Sequence, residues 1–176
     1  MTDHPLVVRA TEAIRLETKL LAYLQTPVWT AIRAYWGFAF AISGWGKLGN
    51  IDGVASWFGD TLHIPFPLAN AYAASIVELV GGICLLLGLG GRVATIPLVV
   101  TMVVAYATSD KGFIDPMYTD ASLYDRLIET GDKFVSATPF TYLMASLLTL
   151  LWGAGDWSLD ALIAKRLGYE PEQDTK

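Results

Sequence analysis

The chain has 176 residues, is 53% hydrophobic and only 16% charged, and has a mean hydropathy of +0.43. A soluble domain carries about 25% charged residues, so this composition excludes an ordinary soluble globule and indicates a one-domain integral membrane protein. One cysteine (Cys84) excludes dithiol chemistry within the chain, and a net charge of −5 with no basic patch speaks against nucleic acid.

Residues 1–26 alternate charge with apolar residues and contain no continuous apolar core, so they are not expected to be a signal peptide. Residues 6–24 put Leu6, Ala10, Ala13, Leu20, Leu21 and Leu24 on one helical face and Arg9, Glu12, Arg15 and Lys19 elsewhere. That pattern suits an amphipathic helix lying on the cytoplasmic membrane surface. A first span is predicted over residues 27–48, with Thr26 as its cap and Pro27 in its first turn. The second covers 69–89, and a Gly90-Gly91 turn leads into the third, 93–109. The loop 110–138 carries a predicted helix over 121–130, ended by Gly131, and is expected to cover the outer mouth. The fourth span, 139–154, is short for a crossing. Residues 155–176 form a second interfacial helix, over 158–167, and a polar tail.

The expected fold is therefore all-α: a four-helix transmembrane bundle, 27–154, with flanking interfacial amphipathic helices. Arg9, Arg15, Lys19, Arg92, Lys165 and Arg166 fall on one side, which makes both termini cytoplasmic in a multi-pass inner-membrane protein. Arg92 is expected beside Asp156 or Asp160 at that interface.

Within residues 69–90 Glu78 is the single charge, and a carboxyl at such depth is a candidate functional group. Arg33, Gly37, Phe40, Gly44 and Lys47 recur at heptad spacing and line one face of the first span. Gly37, Gly44, Gly81 and Gly82 permit close helix approach. Glu78 is placed between the levels of Arg33, roughly 9 Å below, and Lys47, roughly 12 Å above. Arg33 is the preferred partner, with Lys47 reaching toward the outer interface. An ion pair that only fixes register, a pair that holds a ligand headgroup or carries protons, and a Glu78 turned to another subunit all remain open. Trp29, Tyr35, Trp36, Trp45, Trp57 and Trp152 read as interfacial belt residues. His4 and His63 lie outside the spans, so one subunit has no bis-histidine haem site, and no metal site is expected.

Arg33, Gly37, Ser43-Gly44 and Lys47-Leu48 resemble the first-helix signature of the DoxX family. Pro65 and Pro67, Glu78, Gly81-Gly82, residues 85–89 and Arg92 resemble its second-helix block, and residues 153–160 its closing G-x-G…S-L-D stretch. The resemblance covers residues 28–167. It implies a four-helix membrane protein of the DoxX/DoxD group, whose founding members are associated with a thiosulfate:quinone oxidoreductase. Without a haem-ligand pair or CxxC, redox chemistry would use a quinone or a partner's cofactor, and no covalent cofactor is expected. The leading expectation is a redox-associated subunit that binds a quinone-like or other lipid-soluble ligand near an Arg33–Glu78 pair. Its partners would be membrane lipid and the proteins of a membrane assembly. The alternative is a non-catalytic structural or accessory subunit of a larger membrane complex. A small carrier ranks third, because the chain has no repeat or discontinuous helix. Whether the chain is itself an enzyme stays open.

Overall fold

A computed structural model describes residues 5–109 and 139–168, and these are helical with no strand among them. The order is α1 (Pro5–Gly49), α2 (Ile51–Ser56), a π-helical turn (Trp57–Thr61), α3 (Pro67–Leu87), α4 (Gly91–Ser109), α5 (Pro139–Trp152) and α6 (Leu159–Arg166). The long helices pack in a ring: α1 on α3, α3 on α4, α4 on α5, and α5 back on α1.

Helix α1 corrects the sequence reading. It is one continuous 45-residue helix with Pro27 inside it, so Thr26 and Pro27 do not start a helix and residues 6–24 are not a separate element. Proline costs one hydrogen bond to the carbonyl four residues back, and the Ala, Leu, Glu, Lys and Arg that precede it favour helix strongly enough to carry it through. Residues 11–25 are all exposed.

Helix α2 and the π turn fill a stretch that the sequence reading left without structure. His63 and Phe66 follow in the left-handed region, at φ 55 and 51. Pro67 then opens α3, and the Asn70 amide donates to the Pro65 carbonyl at 2.7 Å. At the far end the expected hairpin is present. Gly88 adopts φ 69, and the Leu89 N–H donates back to the Cys84 carbonyl at 2.9 Å, a glycine-ended closure. The expected loop helix over 121–130 and the polar tail lie outside the described residues.

The interior mixes polar with apolar side chains. Arg33, Ser75, Glu78, Thr95, Ser146 and Thr149 are buried alongside a core of Phe40, Leu85, Leu98, Met102 and Leu143. The buried hydroxyls of Ser75, Thr95, Ser146 and Thr149 donate to carbonyls one turn back in their own helices, so they need no water. Helices α1, α3 and α4 meanwhile expose apolar side chains along their length, on α3 Leu68, Tyr72, Ile76, Val80, Ile83 and Leu87. Among the described residues α3 is the helix long and apolar enough to cross a membrane.

Candidate functional site

Glycines set the register between α1 and α3. A Cβ on Gly44 would meet the Ser75 carbonyl oxygen at 2.6 Å, and one on Gly37 would meet that of Gly82 at 2.9 Å. Gly82 in turn faces Phe40, Ala41 and Gly37, whereas Gly81 faces Leu98 of α4. All four glycines are thus packing positions, and Gly81 serves the other neighbour.

This register places Glu78 level with Ser43 and Lys47. Its carboxylate forms an ion pair with the Lys47 ammonium and accepts a hydrogen bond from the Ser43 hydroxyl at 2.9 Å. The Glu78 side chain is 3% exposed and that of Lys47 31%. The expected Arg33–Glu78 pair is not formed. Arg33 lies ten residues before Ser43, roughly 15 Å along the helix axis. The expectation set α1 about one turn out of register against α3, and that turn changes the partner.

Arg33 instead closes the other end of the bundle. Its guanidinium donates to the Leu85 carbonyl, to that of Leu86 at 3.0 Å, and to that of Trp157 at 2.8 Å. The first two lie in the last turn of α3, that of Leu85 also accepting from the Gly88 N–H at 3.3 Å, and there a cation meets the negative end of the helix dipole. Its Nε is buried with no hydrogen-bond partner among the described residues. Asp160, whose charge acts on Arg33, caps α4 by accepting from the Gly90 and Gly91 N–H groups, each at 2.8 Å. Ser158 starts α6 by accepting from the Ala161 N–H at 3.1 Å. Arg92 and Asp160 line one open pocket at this end of the bundle, and among the described residues no ion pair joins Arg92 to Asp156 or Asp160. Arg92 donates to the Leu151 carbonyl at 3.3 Å, and Asp156 accepts from the Thr26 hydroxyl at 3.2 Å. Backbone groups at helix ends outcompete the surface partner, since they would otherwise be unsatisfied.

Beside the Lys47–Glu78 pair an open groove of about 360 Å³ runs between α1 and the start of α5, lined by Tyr35, Phe38, Ala39, Ile42, Ser43 and Tyr142. Tyr142 is fixed edge-on against Phe40 and Trp36, with ring centroids 4.7 and 5.0 Å apart. Trp36 therefore packs on the core, whereas Trp45, Trp57 and Trp152 are exposed as belt residues would be. Ser43 joins the groove to the buried carboxylate. The sequence reading assigned neither Ser43 nor Tyr142 a role. Ser43 was findable as the residue four before Lys47; Tyr142 is brought in only by the α1–α5 contact. No group of three or more His, Cys, Asp or Glu side chains able to hold a metal occurs among the described residues.

Residues 28–110 match the DoxX family model. A curated relative from Bacillus subtilis (strain 168), "Putative oxidoreductase CatD", is 25% identical over 118 residues, which cover 63% of this chain and 84% of that protein. No solved structure matches.

Proposed function

We propose that this chain, whose residues 28–110 match the DoxX family model, is a redox-associated membrane protein that holds a quinone-like, lipid-soluble ligand beside Lys47 and Glu78. The observation that carries the reading is a carboxylate, 3% exposed, joined through Ser43 to a groove on the otherwise apolar outer flank of α1. Buried charge in such a setting is expensive, and a carboxylate one hydroxyl away from a ligand can take or return a proton. The relative named as an oxidoreductase fits the same class of activity.

In this reading α1, α3, α4 and α5 all cross the bilayer, and both termini are cytoplasmic. The apolar outer stripes support it, because lipid accepts what water would not. Helix α5, at 14 residues, is roughly 21 Å long and needs a locally thinned bilayer. The ligand would enter from the lipid side.

A second reading has one observation of its own. The exposed run 11–25 carries the exposed apolar side chains of Ile14, Leu16, Leu20, Leu21, Tyr23 and Leu24, as a docking arm of an accessory subunit would. Substituting Glu78→Gln and assaying quinone-linked turnover in native membranes separates the two. Loss of turnover with a folded protein supports the ligand site; full turnover refutes it and leaves the accessory role.

A further inference from the structure

Helix α1 carries a second heptad, on the side away from the one that faces α3. Ile14, Leu21, Val28, Tyr35 and Ile42 recur every seven residues, and Leu24, Ala31 and Phe38 each follow three residues after one of them. All are exposed. The positions on either edge of this seam are uncharged, with Thr18, Gln25 and Ala39 along one and Pro27, Ala34 and Ala41 along the other. Glu12, Arg15 and Lys19 lie off it. A seam of this period is what parallel helices bury against each other, and β-branched Ile14, Val28 and Ile42 at its first position, with Leu24 at its second, favour two strands. Lipid does not account for the whole of it. Thr26 is hydrogen-bonded to Asp156 at the charged end of the bundle, so Ile14, Leu21 and Leu24 lie on the water side. From Ile14 to Ile42 the seam is roughly 42 Å long, against a hydrocarbon core of about 30 Å.

We infer that a second copy of this chain covers the seam, giving a two-fold dimer of parallel α1 helices whose contact continues beyond the membrane into the arm. The inference rests on the reading that α1 crosses the bilayer, which gives every copy's α1 the same direction and level; it does not depend on the ligand. A two-fold axis sets each seam residue against its own counterpart. Glu17, three residues after Ile14, stands at a seam position. Two acidic side chains therefore meet there, which weakens the pair while fixing its register. Tyr35, Phe38 and Ile42 also line the α1–α5 groove, so the second α1 borders that groove as well.

The test uses the full chain in native membranes, in a Cys84→Ser background, with single cysteines oxidised by copper phenanthroline. Ile14→Cys, Leu24→Cys and Val28→Cys should each cross-link two copies at least about tenfold faster than Arg15→Cys or Lys19→Cys, because a disulfide needs Cβ atoms about 4 Å apart. In liposomes, energy transfer between copies labelled at the C-terminus with donor or acceptor measures the equilibrium. Glu17→Leu should tighten it and Leu24→Glu loosen it, each by about tenfold or more, the worth of a buried leucine. Both positions are exposed, so neither change touches the bundle core. Equal cross-linking on and off the seam, or transfer that neither substitution moves, in chain that alkaline carbonate leaves in the membrane would overturn the dimer and leave the spanning reading standing. Chain that carbonate extracts would overturn the spanning reading and the dimer with it. Cross-links to another polypeptide in place of a second copy would give the seam to an accessory partner and equally overturn the dimer.

Discussion

Removing the two partners of the buried ion pair one at a time should have unequal costs. When Lys47→Met leaves Glu78 in place, a carboxylate whose side chain is 3% exposed keeps only the Ser43 hydrogen bond. Uncompensated buried charge of this kind costs about 3–5 kcal/mol, and the Glu78 side chain is far more deeply buried than that of Lys47. When Glu78→Gln leaves Lys47 in place, the orphaned cation is 31% exposed already and its flexible stem can swing to the interface. The glutamine retains the Ser43 bond and most of the shape, so the loss is about 1 kcal/mol. The double variant should lie near the Glu78→Gln value and well short of the sum, because both charges are then gone. Unfolding in mixed micelles, followed by far-ultraviolet circular dichroism across increasing dodecyl sulfate, measures all three. Equal costs for the single variants, or a larger one for Glu78→Gln, would refute the account of which charge is trapped.

Other substitutions probe the rest of the frame. Arg33→Lys should destabilise by about 2–3 kcal/mol, since one ammonium on a shorter reach cannot serve the three carbonyls of Leu85, Leu86 and Trp157; unfolding midpoints check it. Gly44→Ala should separate α1 from α3, because its Cβ would lie 2.6 Å from the Ser75 carbonyl oxygen, while Gly46→Ala, with nothing within 4 Å, should be neutral or stabilise by up to about 1 kcal/mol. Asp160→Ala should cost about 1–2 kcal/mol through the uncapped Gly90 and Gly91 N–H groups, visible as a lower melting temperature. Reporters fused after Lys176 and inserted near Asp120 should report opposite sides of the membrane; a shared side would reverse the assigned topology.

Much of this frame was legible in the chain. Gly90-Gly91 marked the α3–α4 hairpin, the apolar run from residue 69 the body of α3, and the heptad from Arg33 to Lys47 the buried face of α1. All of these are local signals, fixed by backbone conformation or periodicity. The partner of Glu78 was not local. It depends on how far α1 slides along α3, and that is decided by Gly44 against Ser75 and Gly37 against Gly82, contacts between residues far apart in sequence. A single turn, about 5.4 Å, separates a Glu78 facing between Arg33 and Lys47 from one held by Lys47 and Ser43. The continuity of α1 was misread for the opposite reason. Thr26-Pro27 is a strong local start signal, and the helix-favouring residues before it overrode it. Tyr142 could not be foreseen, since no local pattern ties the start of α5 to the middle of α1.

The central claim is that a lipid-soluble ligand rests in the α1–α5 groove within reach of the Ser43–Glu78 pair. Photolabelling native membranes with an azidoquinone, followed by peptide mapping, tests it most directly. The account predicts saturable labelling at residues 35–43 or at Tyr142, competed by unlabelled quinol and lost in Ala39→Phe, which fills the groove. Labelling elsewhere on the chain, or labelling that neither competitor nor substitution changes, would contradict it.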